Sequence, residues 1–329
     1  MGKWVSTSQA TNFIQARPRL ALVESPAFHD QRVLNETASM FRCPACHAPL
    51  SRECLTREAS CASCGTVIDR IEQIPLLVKD RQAVEATIAK AKAAGREAWY
   101  TEAQLKQWQG PYRHHIAKRR AYVERALAEY LKHAAGRHLT GLDLGCGDGA
   151  NLAWLRPYFH DFYASDYNLL RLLRAARLPE APFLFMADIN DYPAEDCSFD
   201  VVYFNHVLEH IPDDVGALRE VFRILRPGGL VVLGVPNEGA AFWQLAYRLQ
   251  PGVRASSDHL HHYVAETISA KCAAVGFRIG EVHAIGWGVP HWTLDALVRR
   301  YKWVDDGLEW LGRRYLPSQA TSLYLLLGK

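Results

Sequence analysis

The chain reads as an α/β protein with a doubly wound parallel sheet, and three features carry that reading. Strand-like apolar runs near 139–144, 161–166, 183–187, 199–205, 230–235, 277–284 and 321–328 alternate with segments of helical spacing, as expected for strands joined by crossover helices. The first run ends in a glycine-rich loop, Leu142–Asp143–Leu144–Gly145–Cys146–Gly147–Asp148–Gly149. Ahead of the sheet, two Cys-x-x-Cys pairs mark a small metal-held unit.

In the loop, alternating glycines let the backbone turn tightly and approach a ligand closely. A helix pattern beginning at Ala150–Asn151–Leu152 follows, and the whole has the outline of a nucleotide-type binding site. Gly145, Gly147 and Ala150 also fit the dinucleotide pattern G-x-G-x-x-A. Asp143 separates the candidates, because a carboxylate there repels a pyrophosphate and attracts a cationic ligand such as S-adenosylmethionine. Asp166, ending the second strand, stands where a carboxylate meets ribose hydroxyls with either cofactor. Doubly wound sheets bind ligands at the carboxyl ends of their strands. Asp143, Asp166, Asp188 and Asn205 all fall at such ends.

Further motifs follow in order. Asp188 closes the run Phe183–Leu184–Phe185–Met186–Ala187, and Ser198–Phe199–Asp200 opens the run that reaches Asn205. Val207–Leu208–Glu209–His210–Ile211–Pro212–Asp213 comes next, and Leu225–Arg226–Pro227–Gly228–Gly229 leads into Leu230–Val231–Val232–Leu233. The series resembles the class I S-adenosylmethionine-dependent methyltransferases, especially the ubiquinone and menaquinone biosynthesis branch, from about residue 138 to the C-terminus. The resemblance implies a Rossmann-like seven-stranded methyltransferase sheet, with Thr321–Leu327 as its final antiparallel strand. It also implies cofactor contacts from Gly145, Cys146, Gly147 and Gly149 under the methionine, Asp166 at the ribose, and Asp188 and Ile189 beside the adenine, with Asp143 and Asn205 at neighbouring strand ends. In such enzymes a helix before the first strand roofs the cofactor, which would let Tyr112 and Arg113 reach the methionine carboxylate. Aromatic packing with a solvated basic face is the plainer reading of the same helix.

Cys43, Cys46, Cys61 and Cys64 form C-x₂-C…C-x₂-C, the pattern of a closed tetrahedral structural zinc site. With four ligands supplied, Cys54 is a spectator. A unit of this size buries too little surface to fold unaided, which is why it needs a metal. Followed by Ile74–Pro75–Leu76–Leu77, it resembles the zinc-ribbon activator subunit of tRNA and translation-factor methyltransferases, and less closely the ribbon of certain rRNA guanine methyltransferases. The expected organisation is an N-terminal extension (1–40), a zinc ribbon (41–79), a helical linker and cofactor-roof helix (80–137), and an S-adenosylmethionine-binding domain (138–329).

The acceptor side is less defined. His206 and His210 lie just past the fourth strand and are the candidate general bases, since histidine titrates nearest neutral pH. The segment 237–263, which carries His259, His261 and His262, is expected to lie over the acceptor as a lid and not to hold a metal. Asn205 opens no Asn–Pro–Pro–Tyr motif, which disfavours the amino-group enzymes that use it. Leu294, Leu297, Val298 and Tyr301, then Val304, Leu308, Leu311 and Tyr315, keep helical spacing, and packing against the last strands is the default expectation. Binding of these two helices at a membrane surface is the alternative.

The 329 residues leave room for about two domains. A formal charge of +3 is too small to argue for nucleic acid by itself. No run reaches the roughly 18 consecutive apolar residues of a membrane span, and the first residues lack a signal-peptide core. The eight cysteines, four at metal spacing, fit a reducing cytoplasm. The sequence therefore points to methyl transfer onto a hydroxyl, amine or activated carbon of a small molecule or glycan. An RNA methyltransferase docking tRNA or rRNA through its ribbon is the alternative, and a catalytically idle binding or scaffold protein is the third reading.

Overall fold

The protein is described from a computed structural model, in which residues 40–82, 86, 89, 93, 110–179 and 181–329 are placed. The N-terminal extension, most of the linker helix expected over 81–94, and the aromatic residues of 99–109 lie outside the described residues.

The ribbon contributes a short helix α1 (Arg52–Thr56), a two-stranded sheet of β1 (Ala59–Ser60) and β2 (Val67–Ile68), and a hairpin of β3 (Arg70–Ile71) and β4 (Ile74–Leu77). After α2 (Arg113–His133) come β5 (Thr140–Leu144), the one-turn helix α3 (Leu152–Leu155), β6 (Asp161–Asp166), α4 (Leu169–Ala175), β7 (Phe183–Ala187), β8 (Phe199–Asn205), α5 (Asp214–Ile224) and β9 (Leu225–Pro236). The chain ends with α6 (Ala241–Leu249), α7 (Pro251–Ser256), α8 (Ala265–Val275), β10 (Arg278–Ile285), α9 (Trp292–Val298), α10 (Lys302–Tyr315) and β11 (Ser322–Gly328). The seven strand regions expected from sequence are all present. The fifth is longer, because pairing of Leu225 with Phe199 of β8 extends it back from Leu230.

The main sheet runs β10-β11-β9-β8-β5-β6-β7-β4-β3, with β4 through β9 parallel and β11 antiparallel between β9 and β10. It has nine strands, two more than expected, because the ribbon hairpin adds to the free edge of β7 through Leu76 and Leu77. That pairing satisfies an edge that would otherwise expose backbone N–H and C=O groups. The strand order reverses at β5, between β6 and β8, which is where a doubly wound sheet opens a crevice.

The ribbon shares the sheet's core. Phe41 is fully buried, with its ring 4.8 Å from Phe185 and 5.9 Å from Tyr163. Leu50, Leu55 and Ile68 belong to the same apolar cluster as Phe183, Phe199 and Leu233. On the opposite face, Tyr122, Val123 and Leu127 of α2 pack with Leu139, Leu155 and Phe162.

The two C-terminal helices depart in part from expectation. Of the stripe expected to pack, Leu294 (49% exposed), Leu297 (53%), Tyr301 and Leu311 are exposed and Val298, Val304 and Leu308 are half-buried, while Asp295, Arg299 and Asp305 are buried. The inner face is polar because Arg299 pairs with Asp305 (2.8 Å) and Asp295 (3.5 Å). Paired charges can be buried where lone ones cannot, and much of the apolar stripe is left outside.

Candidate active site

The glycine loop is stapled to the neighbouring strand. Gly145 takes φ +78°, and its N–H and that of Cys146 both donate to the Ser165 carbonyl (2.8 and 3.0 Å). A Cβ at Gly145 would stand 2.3 Å from the Val207 side chain, so only glycine both adopts this turn and admits the residue after His206. Asp166 accepts from Gly147 N–H (2.8 Å) and Asn168 N–H (2.7 Å), which holds its carboxylate at the loop. Asp188 accepts from Asn190 N–H (2.9 Å), and Ile189 is buried beside it. Asn205 is fastened differently, since its Oδ1 accepts from the Tyr324 hydroxyl (2.7 Å) on the last strand. Cys146 is buried, and burial keeps its thiol protonated.

Two features of the loop were not read from sequence. The helix after it is a single turn, too short for an N-terminal dipole to hold a pyrophosphate. Asp148 is buried and ties down Arg171 (3.2 Å) and Arg174 (2.8 Å), so it braces the loop.

Asp143 is 2% exposed, and one of its carboxylate oxygens has no hydrogen-bond partner. Burial, and then the neighbouring Asp166 carboxylate, push its pKa up to about 8. No protein cation pairs with it among the described residues.

A cavity of about 430 Å³ opens over the ends of β8 and β9. The roof helix supplies Tyr112, His115, Ile116 and Arg119 to its wall, positions three, four and seven apart on one helical face. Arg113 lies off that face, and its guanidinium donates to the Arg300 carbonyl (2.7 Å), away from the cavity. Tyr112 lines the cavity as expected; burial, then Asp295, push its hydroxyl up to about 12. Arg119 is the residue that sequence reasoning missed, although the same spacing points to it. Its guanidinium donates to the Ser322 hydroxyl, its Nε has no partner, and no carboxylate pairs with it among the described residues.

His206 lines the cavity, whereas His210 does not. The His206 backbone is left-handed (φ +54°), a conformation that costs roughly 1–3 kcal/mol and tends to collect at functional sites. Its Nδ1 lies 3.3 Å from Glu209, and its Nε2 is unpartnered. Burial, and then Arg119, lower its pKa, so the ring is neutral at neutral pH. For Glu209, burial favours the acid, but the contacts to His206 and His210 outweigh it and hold the carboxyl low. His210 is drawn instead to Asp258 (3.3 Å). The 237–263 segment walls the cavity with Glu238, Trp243 and His259. His259 Nδ1 meets Glu238 at 2.8 Å; burial lowers its pKa, yet that contact outweighs it and raises it. Ligand atoms of Glu209, His210 and His259 lie within 4.8 Å of one another, but the two rings are already engaged by Asp258 and Glu238.

A family model described as a methyltransferase domain matches residues 112–282, more than half of the chain. This chain belongs to the methyltransferase-domain family. It is 29% identical over 154 residues to the malonyl-[acyl-carrier protein] O-methyltransferase of Pseudescherichia vulneris, covering 46% of this chain and 61% of that one. It is 34% identical over 118 residues to the trans-aconitate 2-methyltransferase of Methylobacterium radiotolerans, covering 35% of this chain and 44% of that one. The chain thus spans less than two thirds of either relative. An S-adenosylmethionine dependent methyltransferase structure from Mesorhizobium loti matches with a TM-score of 0.43 and 20% identity, over 58% of this chain and 91% of that chain.

Away from this cavity, the four ribbon cysteines converge. Cys43 and Cys64 sulfurs are 3.7 Å apart, as are those of Cys46 and Cys61, and all four lie within 4.8 Å of one another. Zinc–sulfur bonds of about 2.3 Å in a tetrahedron put sulfurs about 3.8 Å apart, so the cluster fits that ion. Burial pushes the Cys43 thiol up to about 12, while the Thr66 hydroxyl, then its backbone N–H, hold Cys64 down to about 6. Cys54 stands apart, with its sulfur near Ser51 and the Ser60 carbonyl.

Asp143 yields a test. Its folded-state pKa lies above the ordinary carboxyl value near 4, so its contribution to stability is full in acid and is lost as pH rises through about 8. Asp143→Asn should therefore raise the melting temperature of the ligand-free protein by an amount near zero at about pH 4, growing with pH and levelling off above about 8. Thermal denaturation across that range checks this, and a pH-independent difference contradicts it.

Proposed function

We propose that this chain transfers a methyl group from S-adenosylmethionine to a small molecule or glycan held in the cavity beside His206. The observation that carries the reading is Asp143, a buried carboxyl without a protein cation beside a left-handed glycine loop. A cationic ligand favours ionisation of this carboxyl and completes such a site, whereas a pyrophosphate gains no counter-charge from it. Asp166 takes the ribose hydroxyls, Asp188 and Ile189 flank the adenine, and Arg119, not Arg113, neutralises the methionine carboxylate. When bound, S-adenosylmethionine supplies an already activated methyl group, so most of the rate can come from alignment.

The protein's own groups do the rest. Tyr112, Trp243 and Trp292 give the cavity apolar walls that exclude water from a bound acceptor. Glu209 orients His206 through Nδ1, which leaves Nε2 to take the proton of an acceptor hydroxyl. The ribbon is proposed to hold one structural zinc through Cys43, Cys46, Cys61 and Cys64. Since β4 pairs with β7, the strand that ends at Asp188, the ribbon buttresses the adenine side of the pocket.

Three measurements test this reading. Calorimetry should show Asp166→Asn and Arg119→Gln binding S-adenosylhomocysteine at least tenfold more weakly, as expected for losing a charge-assisted hydrogen bond of about 1.5–3 kcal/mol. Arg113→Gln should bind as the parent does, and the reverse order would return the carboxylate contact to Arg113. With an accepted substrate, His206→Ala should turn over about 10²–10⁴-fold more slowly at unchanged cofactor affinity; normal turnover would leave His206 a packing residue. Metal analysis should find one zinc per chain, and Cys61→Ser should lose both the zinc and part of the cofactor affinity. A Cys61→Ser protein that retains its full zinc rules the site out.

A further inference from the structure

We propose that the outer face of α9 and α10 docks on an anionic membrane surface, so that the methyl acceptor is drawn from molecules carried at a bilayer. The apolar residues of that face are unusually exposed for a folded domain: Leu297 (53%), Trp303 (77%), Trp310 (66%) and Tyr315 (66%). Trp303, Gly307, Trp310 and Arg314 recur at four, seven and eleven residues along α10, which aligns them in one stripe. Exposure on this scale is not a failure of local packing. The inward face of the same helices is occupied by the Asp295–Arg299–Asp305 ion network, and it leaves no room for the apolar stripe to turn in.

Charge complementarity selects the occupant. Arg314 closes the stripe and Arg300 is exposed just past α9; neither has a carboxylate partner among the described residues. Lys302 and Arg313 stand at its two ends, each ion-paired within its own helix, to Asp306 and Glu309, with Arg313 also over the Trp287 ring (5.8 Å). Indole and phenol rings with an apolar body and a polar tip suit the headgroup level of a bilayer, and arginine suits its anionic phosphates. A convex helix with aromatics in the middle and cations around them is the form of an interfacial anchor.

The placement bears on the acceptor. Trp292, Asp295 and Arg299 of α9 and its flank line the cavity, while Leu294 and Leu297 of that helix face outward. The docked surface and the cavity are thus separated by one helix, about 10 Å. A bilayer-borne acceptor needs to travel only that far. This half of the inference rests on the methyltransferase reading above, whereas docking itself does not.

The test is flotation of the full chain with vesicles of phosphatidylcholine, with and without phosphatidylglycerol. The unmodified protein is expected to float with the anionic vesicles at least tenfold more than with the neutral ones. Trp303→Ser/Trp310→Ser should lose at least tenfold of that binding, and Arg300→Gln/Arg314→Gln should lose the preference for anionic lipid. S-adenosylhomocysteine affinity, measured on each variant, should match the parent, which shows that the variants fold. It also keeps failure of docking distinct from failure of the cofactor reading. Unmodified protein that stays with the buffer overturns the proposal, as does a tryptophan variant that floats equally well. A dimer that the same tryptophan substitutions dissolve, without vesicle binding, would make the face a contact between two copies and overturn it too.

Discussion

The left-handed turn at Gly145 is the constraint from which the site follows. It lets two successive N–H groups converge on the Ser165 carbonyl, which brings the loop after β5 against the end of β6. Asp166 then closes the loop through Gly147 N–H. The same turn admits Val207, so the strand end that carries His206 lies directly against the loop. A side chain at 145 would clash with Val207 and push the loop away from the strand end that carries His206. The parallel register of β5 with β6 and β8 does the remaining alignment, because Asp143, Asp166 and Asn205 reach one edge of the sheet together.

The edge opposite the acceptor has its own dependence. Parallel sheets are stable when both faces are covered and their edges are satisfied. Here β4 of the ribbon covers the edge of β7, and Phe41 fills the core beneath it. The ribbon and the methyltransferase sheet therefore share one hydrophobic cluster and stand or fall together. The small cysteine-bearing unit gains a core from its neighbour, and the neighbour gains a covered edge.

Much of this was legible in the sequence where local chemistry decides it. The strand regions, the glycine loop and its acids, and the cysteine spacing each follow from residue type and period. Three features were not legible, for separate physical reasons. Pairing of β4 with β7 is a long-range contact between strands whose apolar patterns would also suit other partners. That Arg119 and not Arg113 lines the cavity turns on helix phase, since 112, 115, 116 and 119 share the face that α2 turns to it. The turn of α9 and α10 that buries Asp295, Arg299 and Asp305 in place of Leu294, Leu297 and Leu311 depends on Arg299, at the end of α9, finding two carboxylates, one in that helix and one in the next. Hydrophobic spacing alone predicts the opposite face.

Among the described residues no helix is long and apolar enough to cross a membrane, and the site is built from strand ends and one roof helix. The proposed function turns on the sign of the ligand that would meet the buried Asp143 carboxyl. Equilibrium titration of the unmodified chain with S-adenosylhomocysteine and, separately, with NAD tests that sign most directly. The account requires one S-adenosylhomocysteine per chain, at an affinity at least a hundredfold above that for NAD, about 2.7 kcal/mol. Comparable binding of the two, or a preference for NAD, would contradict it.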